Sequence, residues 1–171
     1  GTTPGFIRAL HRVFDGGAVG REARPLPSVL CTPVQRVVVD GITVVGERIN
    51  PTGRRKLKEA LYAKNWDYAG ELALQEQQEG ADFLVVNAGL PDIDEGEALP
   101  NLVLAIRGVS PLPLVIDCSD PAALEKALRV CRGRPILNSV NGEAESMAAM
   151  LPLAAKYGAA IVALAMDGGG I

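Results

Sequence analysis

Residues able to do chemistry recur at one place in this sequence, just after short apolar runs. Glu47 and Asn50 follow the run over 43–46, and Asn87 ends the run over 82–87. Asp117 ends the run over 112–117, Asn138 and Ser139 end the run over 135–138, and Asp167 follows the run over 159–166. These are acceptors and carboxamides. No Ser, His and Asp set suggests a nucleophile activated by a base. A carboxylate accepts from two adjacent N–H groups at once, and an amide side chain both donates and accepts. Such a set reads the edge of a planar heterocycle better than it binds a sugar or a phosphate.

Each residue also has a plainer reading. Asp117 could cap the next helix, although Asp120 before Pro121 is better placed to do so. Asn138 could be a turn residue, with Asn141-Gly142 close by. Glu47 could pair with Arg48. Asn87, near Gly89, could serve a left-handed turn. Asp94 and Glu95 read as a solvated loop. His11 is the only histidine and falls in an N-terminal helix. Gly168 to Gly170 could cradle an anion or form a flexible loop. Pterins and purines carry edges that suit the acceptor and amide set.

The elements that must position these residues alternate. Strands are expected at 43–46, 82–87, 112–117, 135–138 and 159–166. Helices are expected at 54–64, 67–79, 97–107, from Asp120-Pro121 onward, and at 142–157. Gly80 and Gly158 stand where helix-ending glycines belong. Phe83-Leu84-Val85-Val86 and Leu114-Val115-Ile116 are continuous apolar runs. Strands buried on both faces read this way, as in a parallel sheet covered by helices. The strand ends then gather on one face of a (β/α)8 barrel, or along the crevice of an open doubly wound sheet. Before this alternation, Thr3-Pro4 is a helix start, with Phe6, Ile7, Leu10 and Phe14 as one apolar face. Residues 15–36 read as a linker rich in Gly and Pro. Asp40-Gly41 between 37–39 and 42–45 predicts a hairpin.

The totals exclude several classes. The chain has 171 residues, 48% hydrophobic and 22% charged, an ordinary globular balance. A net charge of -3 and a pI near 5.2 give no basic stripe for nucleic acid. The cluster Arg54, Arg55, Lys56 and Lys58 reads as a solvated helix start. No apolar run reaches the ~20 residues of a membrane span, and no signal pattern opens the chain. Cys31, Cys118 and Cys131 lack C-x-x-C spacing, so neither a zinc site nor a disulfide framework is indicated, and a reducing cytoplasm is the expected setting.

Gly46-Glu47-Arg48-Ile49-Asn50-Pro51-Thr52-Gly53-Arg54, Val86-Asn87-Ala88-Gly89, Ile116-Asp117-Cys118 and Ile136-Leu137-Asn138-Ser139, in this order, resemble the methyltetrahydrofolate methyltransferase barrels. That group includes the folate domain of cobalamin-dependent methionine synthase and the methyltransferase that serves a corrinoid iron–sulfur protein; dihydropteroate synthase is a more distant relative. The resemblance implies an incomplete (β/α)8 TIM barrel of about five parallel strands, with an N-terminal helix and linker. Gly1-Thr2-Thr3-Pro4 is similar to the end of the homocysteine-binding barrel of methionine synthase and favours that branch. The implied divisions are a domain tail over 1–14, an interdomain linker over 15–36 and the first part of a pterin-binding barrel over 37–171.

By the same resemblance, Asp117 and Asn138 hydrogen-bond the pterin of methyltetrahydrofolate. Glu47 lines that pocket, and Asn87 and Ser139 line it more distantly. No catalytic residue is assigned. The implied activity passes the N5 methyl group to cobalamin for methionine synthesis. Cobalamin is carried by another domain or protein, and the zinc ligands of such an enzyme are absent here. The alternatives are the methyltransferase of the corrinoid iron–sulfur protein, and a non-catalytic α/β fragment that completes its barrel by self-association or with a missing second half. One departure stands out: the family usually has an aspartate two residues before Asn87, where this chain has Val85.

Overall fold

Short apolar runs between turns leave the chain one economical way to bury them, as neighbouring strands under a layer of helices. The computed structural model describes residues 3–14, 27–166 and Gly170. Its helices are α1 (Pro4–Phe14), α2 (Arg55–Tyr62), α3 (Asp67–Gln78), α4 (Glu95–Val109), α5 (Pro121–Val130) and α6 (Ala144–Tyr157). Its strands are β1 (Val29–Cys31), β2 (Arg36–Val38), β3 (Val45–Gly46), β4 (Phe83–Asn87), β5 (Leu114–Asp117), β6 (Ile136–Val140) and β7 (Ala160–Ala163). Strands β3 to β7 form one parallel sheet in sequence order, the arrangement of a partial TIM barrel that does not close.

Alternation along each strand divides the sheet into two faces. Leu84, Val86, Ile116 and Leu137 pack on the helix side with Leu99, Leu102 and Ile106 of α4, all essentially without solvent contact. Full burial of each such side chain stabilises the fold by about 1.5–3 kcal/mol. Phe83, Val85, Val115 and Ile136 point to the other, concave face. The strand register stacks this face in rows. Val85, Val115, Ile136 and Ala160 make an apolar row, and Asn87, Asp117, Asn138 and Val162 make the next row toward the C-terminal strand ends.

The apolar row is plugged from below by Leu30 of β1 and Val37 of β2, which pair as an antiparallel hairpin. This corrects two expectations. The linker reading over 15–36 missed β1; residues 15–26 of that span lie outside the described residues. The hairpin turn is also not Asp40-Gly41. The chain reverses at 32–35, where the Gln35 N–H donates to Thr32 Oγ1 (3.1 Å) and the Thr32 N–H to the Gln35 carbonyl (2.9 Å). Gly41, with φ +87°, leads the chain away from β2. Residues 45–46 pair with β4 instead, and Asp82 Oδ2 accepts from the Val44 N–H at 2.8 Å. Backbone pairing with β4 takes the place of the local hairpin preference of Asp-Gly, while Ile42, Val44 and Val45 stay exposed. The hairpin docks through a bridge between Cys31 and Arg134. Gly133 beside it has φ +112°, and a Cβ there would stand 2.0 Å from the Cys31 carbonyl oxygen, so only glycine fits.

Local signals place the helix starts. Thr3 Oγ1 accepts from the Phe6 N–H (3.4 Å), and Asp120 Oδ1 caps α5 through the Ala122 N–H (2.9 Å). Asp94 is not loop but the N-cap of α4, accepting from the Gly96 N–H at 2.8 Å, and Glu95 is its first helical residue. Helix α1 leaves Phe6, Ile7 and Leu10 exposed; the Phe14 side chain, expected on the same face, lies outside the described residues. Arg54, Arg55 and Lys56 are solvated at the start of α2, and Arg55 pairs with Glu59 one turn on. No helix among the described residues is long and apolar enough to cross a membrane.

Helices α5 and α6 are joined by one carboxylate. Glu125 Oε1 accepts from Lys156 Nζ (2.7 Å), the Tyr157 hydroxyl (3.0 Å) and Arg129 (3.1 Å). The Lys156 hydrogen bond, and then that of Tyr157, hold the Glu125 carboxyl down at about 2 against an ordinary 4.5. A carboxyl depressed in the folded state contributes stability above its unfolded value and loses it as pH falls toward the folded one. Glu125→Gln is therefore expected to flatten the fall in stability between about pH 4.5 and pH 2, read as denaturant midpoint against pH. Parallel profiles for the two proteins would show that this cluster contributes nothing to acid stability.

Candidate functional site

The polar row of the concave face is the sequence's strand-end set brought together. Asn87 and Asp117 are register partners on adjacent strands, as are Asp117 and Asn138. All three are half-buried. Asp117, Asn138 and Ser139 lie on the wall of an open cleft of about 490 Å³. The Asn138–Ser139 peptide is cis. Among the described residues nothing bonds the Asn138 side-chain amide or Asp117 Oδ1, and both residues line the same opening.

Asp120, not Asp117, caps α5, which leaves the Asp117 carboxylate for other work. Its second oxygen, Oδ2, accepts from Asn87 Nδ2 at 2.9 Å. Cys118 follows it but is turned to the helix side, donating to Glu95 Oε2 (3.1 Å). Burial, and then the hydrogen bond to Glu95, push the Cys118 thiol up to about 12, so it is not a thiolate nucleophile near neutral pH.

The structure does not bring every expected residue to this cleft. Asn87 is in the row but not on the cleft wall. Glu47 is exposed beyond β3, where its Oε1 accepts from Asn50 Nδ2 (3.3 Å), and it borders a separate recess of about 260 Å³ with Arg48, Arg54 and Glu76. Arg48 pairs with Glu79 (2.8 Å from Nη1 to Oε1) rather than with Glu47. Glu76 in that recess is buried; its Oε1 accepts from the Arg48 N–H (2.7 Å), and burial first of all raises its carboxyl. A Cβ at Gly46 would lie 2.7 Å from the Glu76 carboxyl carbon, so any side chain there would have to displace that carboxylate. Asp167, Gly168 and Gly169 lie outside the described residues.

Sequence reasoning missed the far wall of the cleft. Ser119 comes from the loop after β5, and Asn141, Glu143, Glu145 and Ser146 come from the loop and first turn around α6. The signal available was position alone, since loops after strand ends form the sites of such sheets. Among the described residues no group of three His, Cys, Asp or Glu side chains gathers to hold a metal ion.

Residues 46–170 match the pterin binding enzyme family. Over 180 residues the chain is 30% identical to methionine synthase of Mycobacterium tuberculosis, covering 98% of this chain and 15% of that protein. Dihydropteroate synthase of Thermus thermophilus superposes with a TM-score of 0.55 at 25% identity, covering 82% of this chain and 49% of that one. The Xanthomonas albilineans dihydropteroate synthase with 4-aminobenzoic acid superposes at 0.58 and 21% identity, over 84% and 52%, and shows the shared fold. The chain thus spans about 15% of the length of the methionine synthase and about half of the dihydropteroate synthases. A half-open parallel barrel with its polar row at the C-terminal strand ends, matched over 46–170, belongs to the pterin-binding enzyme family.

Proposed function

We propose that this chain supplies the first part of a methyltetrahydrofolate site in a methyltransferase that passes the N5 methyl group to cobalamin, as in methionine synthesis. The observation that carries the reading is the pairing of Asp117 and Asn138 in one register row on the cleft wall. Asp117 accepts from pterin N–H groups, while Asn138 donates and accepts beside it; Ser139 adds a hydroxyl. Similarity to methionine synthase over 98% of the chain, including the segment before residue 46, favours that branch over dihydropteroate synthase.

In this reading the chain's residues bind and orient. A tertiary amine is a poor leaving group, so N5 must gain a proton or a strong hydrogen bond before the methyl departs; no described residue is assigned that task. Cobalamin, presented from outside this segment in a reducing cytoplasm, supplies the cobalt centre that takes the methyl group. Zinc finds no fitting donor set among the described residues, and no step is assigned to it.

Calorimetric titration of the intact protein with 5-methyltetrahydrofolate tests the reading, followed by the visible spectrum of added cob(I)alamin. Saturable binding and conversion to methylcobalamin are expected. Absence of binding, or uptake of 4-aminobenzoate in its place, would replace it with another branch of the family.

A further inference from the structure

We infer that Asn87 is a positioning residue: it holds the Asp117 carboxylate in place and leaves the pterin to Asp117 and Asn138. The inference rests on the proposed reading of the cleft. Its basis is that both ends of the Asn87 amide are already engaged. Asn87 Oδ1 accepts from the Gly89 N–H at 2.7 Å. A backbone N–H can only donate, so the oxygen must face Gly89 and the NH₂ must face away from it. There Nδ2 donates to Asp117 Oδ2 at 2.9 Å.

The backbone fixes the donor as firmly. The Asn87 N–H donates to the Ile49 carbonyl (3.0 Å), and Asn87 and Asp117 are direct partners in the parallel ladder. Gly89 is tied to the same arrangement, because a Cβ there would stand 3.2 Å from Asn87 Oδ1. Asp117 borders the cleft and Asn87 does not. The chain thus runs from the Gly89 amide through Asn87 to Asp117 Oδ2, and Oδ1 has no bond among the described residues. A carboxylate held by one oxygen loses little rotamer freedom on binding, which is how a supporting shell raises affinity without touching the ligand.

A double-mutant cycle separates this role from a contact with ligand. Binding of 5-methyltetrahydrofolate is measured by calorimetry for the intact protein, Asn87→Ala, Asp117→Ala, Asn138→Ala and the Asn87 double variants. Asn87→Ala is expected to weaken binding about five- to tenfold when Asp117 is present. It should add almost nothing in the Asp117→Ala background, yet multiply with Asn138→Ala. Asn87→Asp keeps the size and the Gly89 bond but sets an acceptor against Asp117, so it should lose more than Asn87→Ala. Losses that multiply in the Asp117→Ala background, or an Asn87→Asp as tight as wild type, overturn the positioning role alone. A wild type that binds no 5-methyltetrahydrofolate overturns the reading of the cleft and this inference with it.

Discussion

Asp117→Asn is expected to weaken 5-methyltetrahydrofolate binding about 10- to 100-fold while the fold survives. The size follows from the loss of a charged acceptor, since hydrogen bonds to an ionised group contribute about 1.5–3 kcal/mol and each 1.4 kcal/mol is a factor of ten. The fold should survive for local reasons. Asparagine is nearly isosteric, its Oδ1 can still accept from Asn87 Nδ2, and α5 keeps its cap because Asp120 makes it. Titration calorimetry reads the affinity, and the thermal midpoint checks the fold. An unchanged affinity would remove Asp117 from the pterin edge, and with it the main support for the proposed site.

The site was legible in sequence as far as one-dimensional position can carry it. A polar residue after a continuous apolar run marks a strand end, and parallel pairing brings those ends together whatever lies between them. This is why Asp117 and Asn138, 21 positions apart, can be placed on one face from the sequence alone. The role of Asn87 was not legible. Its type and spacing match those of a ligand contact, and only the direction of its amide shows that its hydrogen bonds are used within the protein. Glu47 stands apart from this row in space. It follows the edge strand β3, yet its side chain is exposed beside a different recess.

The fold shows the same division. The five parallel strands fall within a few residues of the apolar runs, because burial on both faces leaves a mark in composition. The first strand of the hairpin did not, and for a physical reason. Residues 29–31 are too short to show a period, and Leu30 is buried by a contact with Phe83, Val85 and Val115 that lies far along the chain. Asp40-Gly41 carries a strong local hairpin signal, but residues 45–46 after it pair with β4, and it is backbone pairing rather than burial that the exposed Val45 gains. Local preference decided the helix starts at Thr3, Asp94 and Asp120; contacts distant along the chain decided which strand paired with which.

Val85 joins the fold to the site, and Val85→Asp is expected to destabilise the protein by several kcal/mol at neutral pH. An aspartate at 85 would occupy a position that is 7% exposed, in the apolar row with Val115, Ile136 and Ala160 and against Leu30 and Phe83. None of these side chains offers a hydrogen bond, and the nearest amide in the polar row, Asn87, is already shared between Gly89 and Asp117. An unpaired carboxylate taken out of water carries an effective penalty of several kcal/mol, a large part of a stability of about 5–15 kcal/mol. Burial raises the folded-state pKa of the new carboxyl above its unfolded value near 3.9. The penalty is therefore full above the folded value and shrinks as pH falls through it toward the unfolded one. Denaturant midpoints for wild type and Val85→Asp should accordingly lie far apart at about pH 7 and draw together near pH 4. A gap that is small at neutral pH, or that does not change with pH, would mean that this row can hold a carboxylate, and that the apolar plug beneath Asp117 is not what sets the lower boundary of the site.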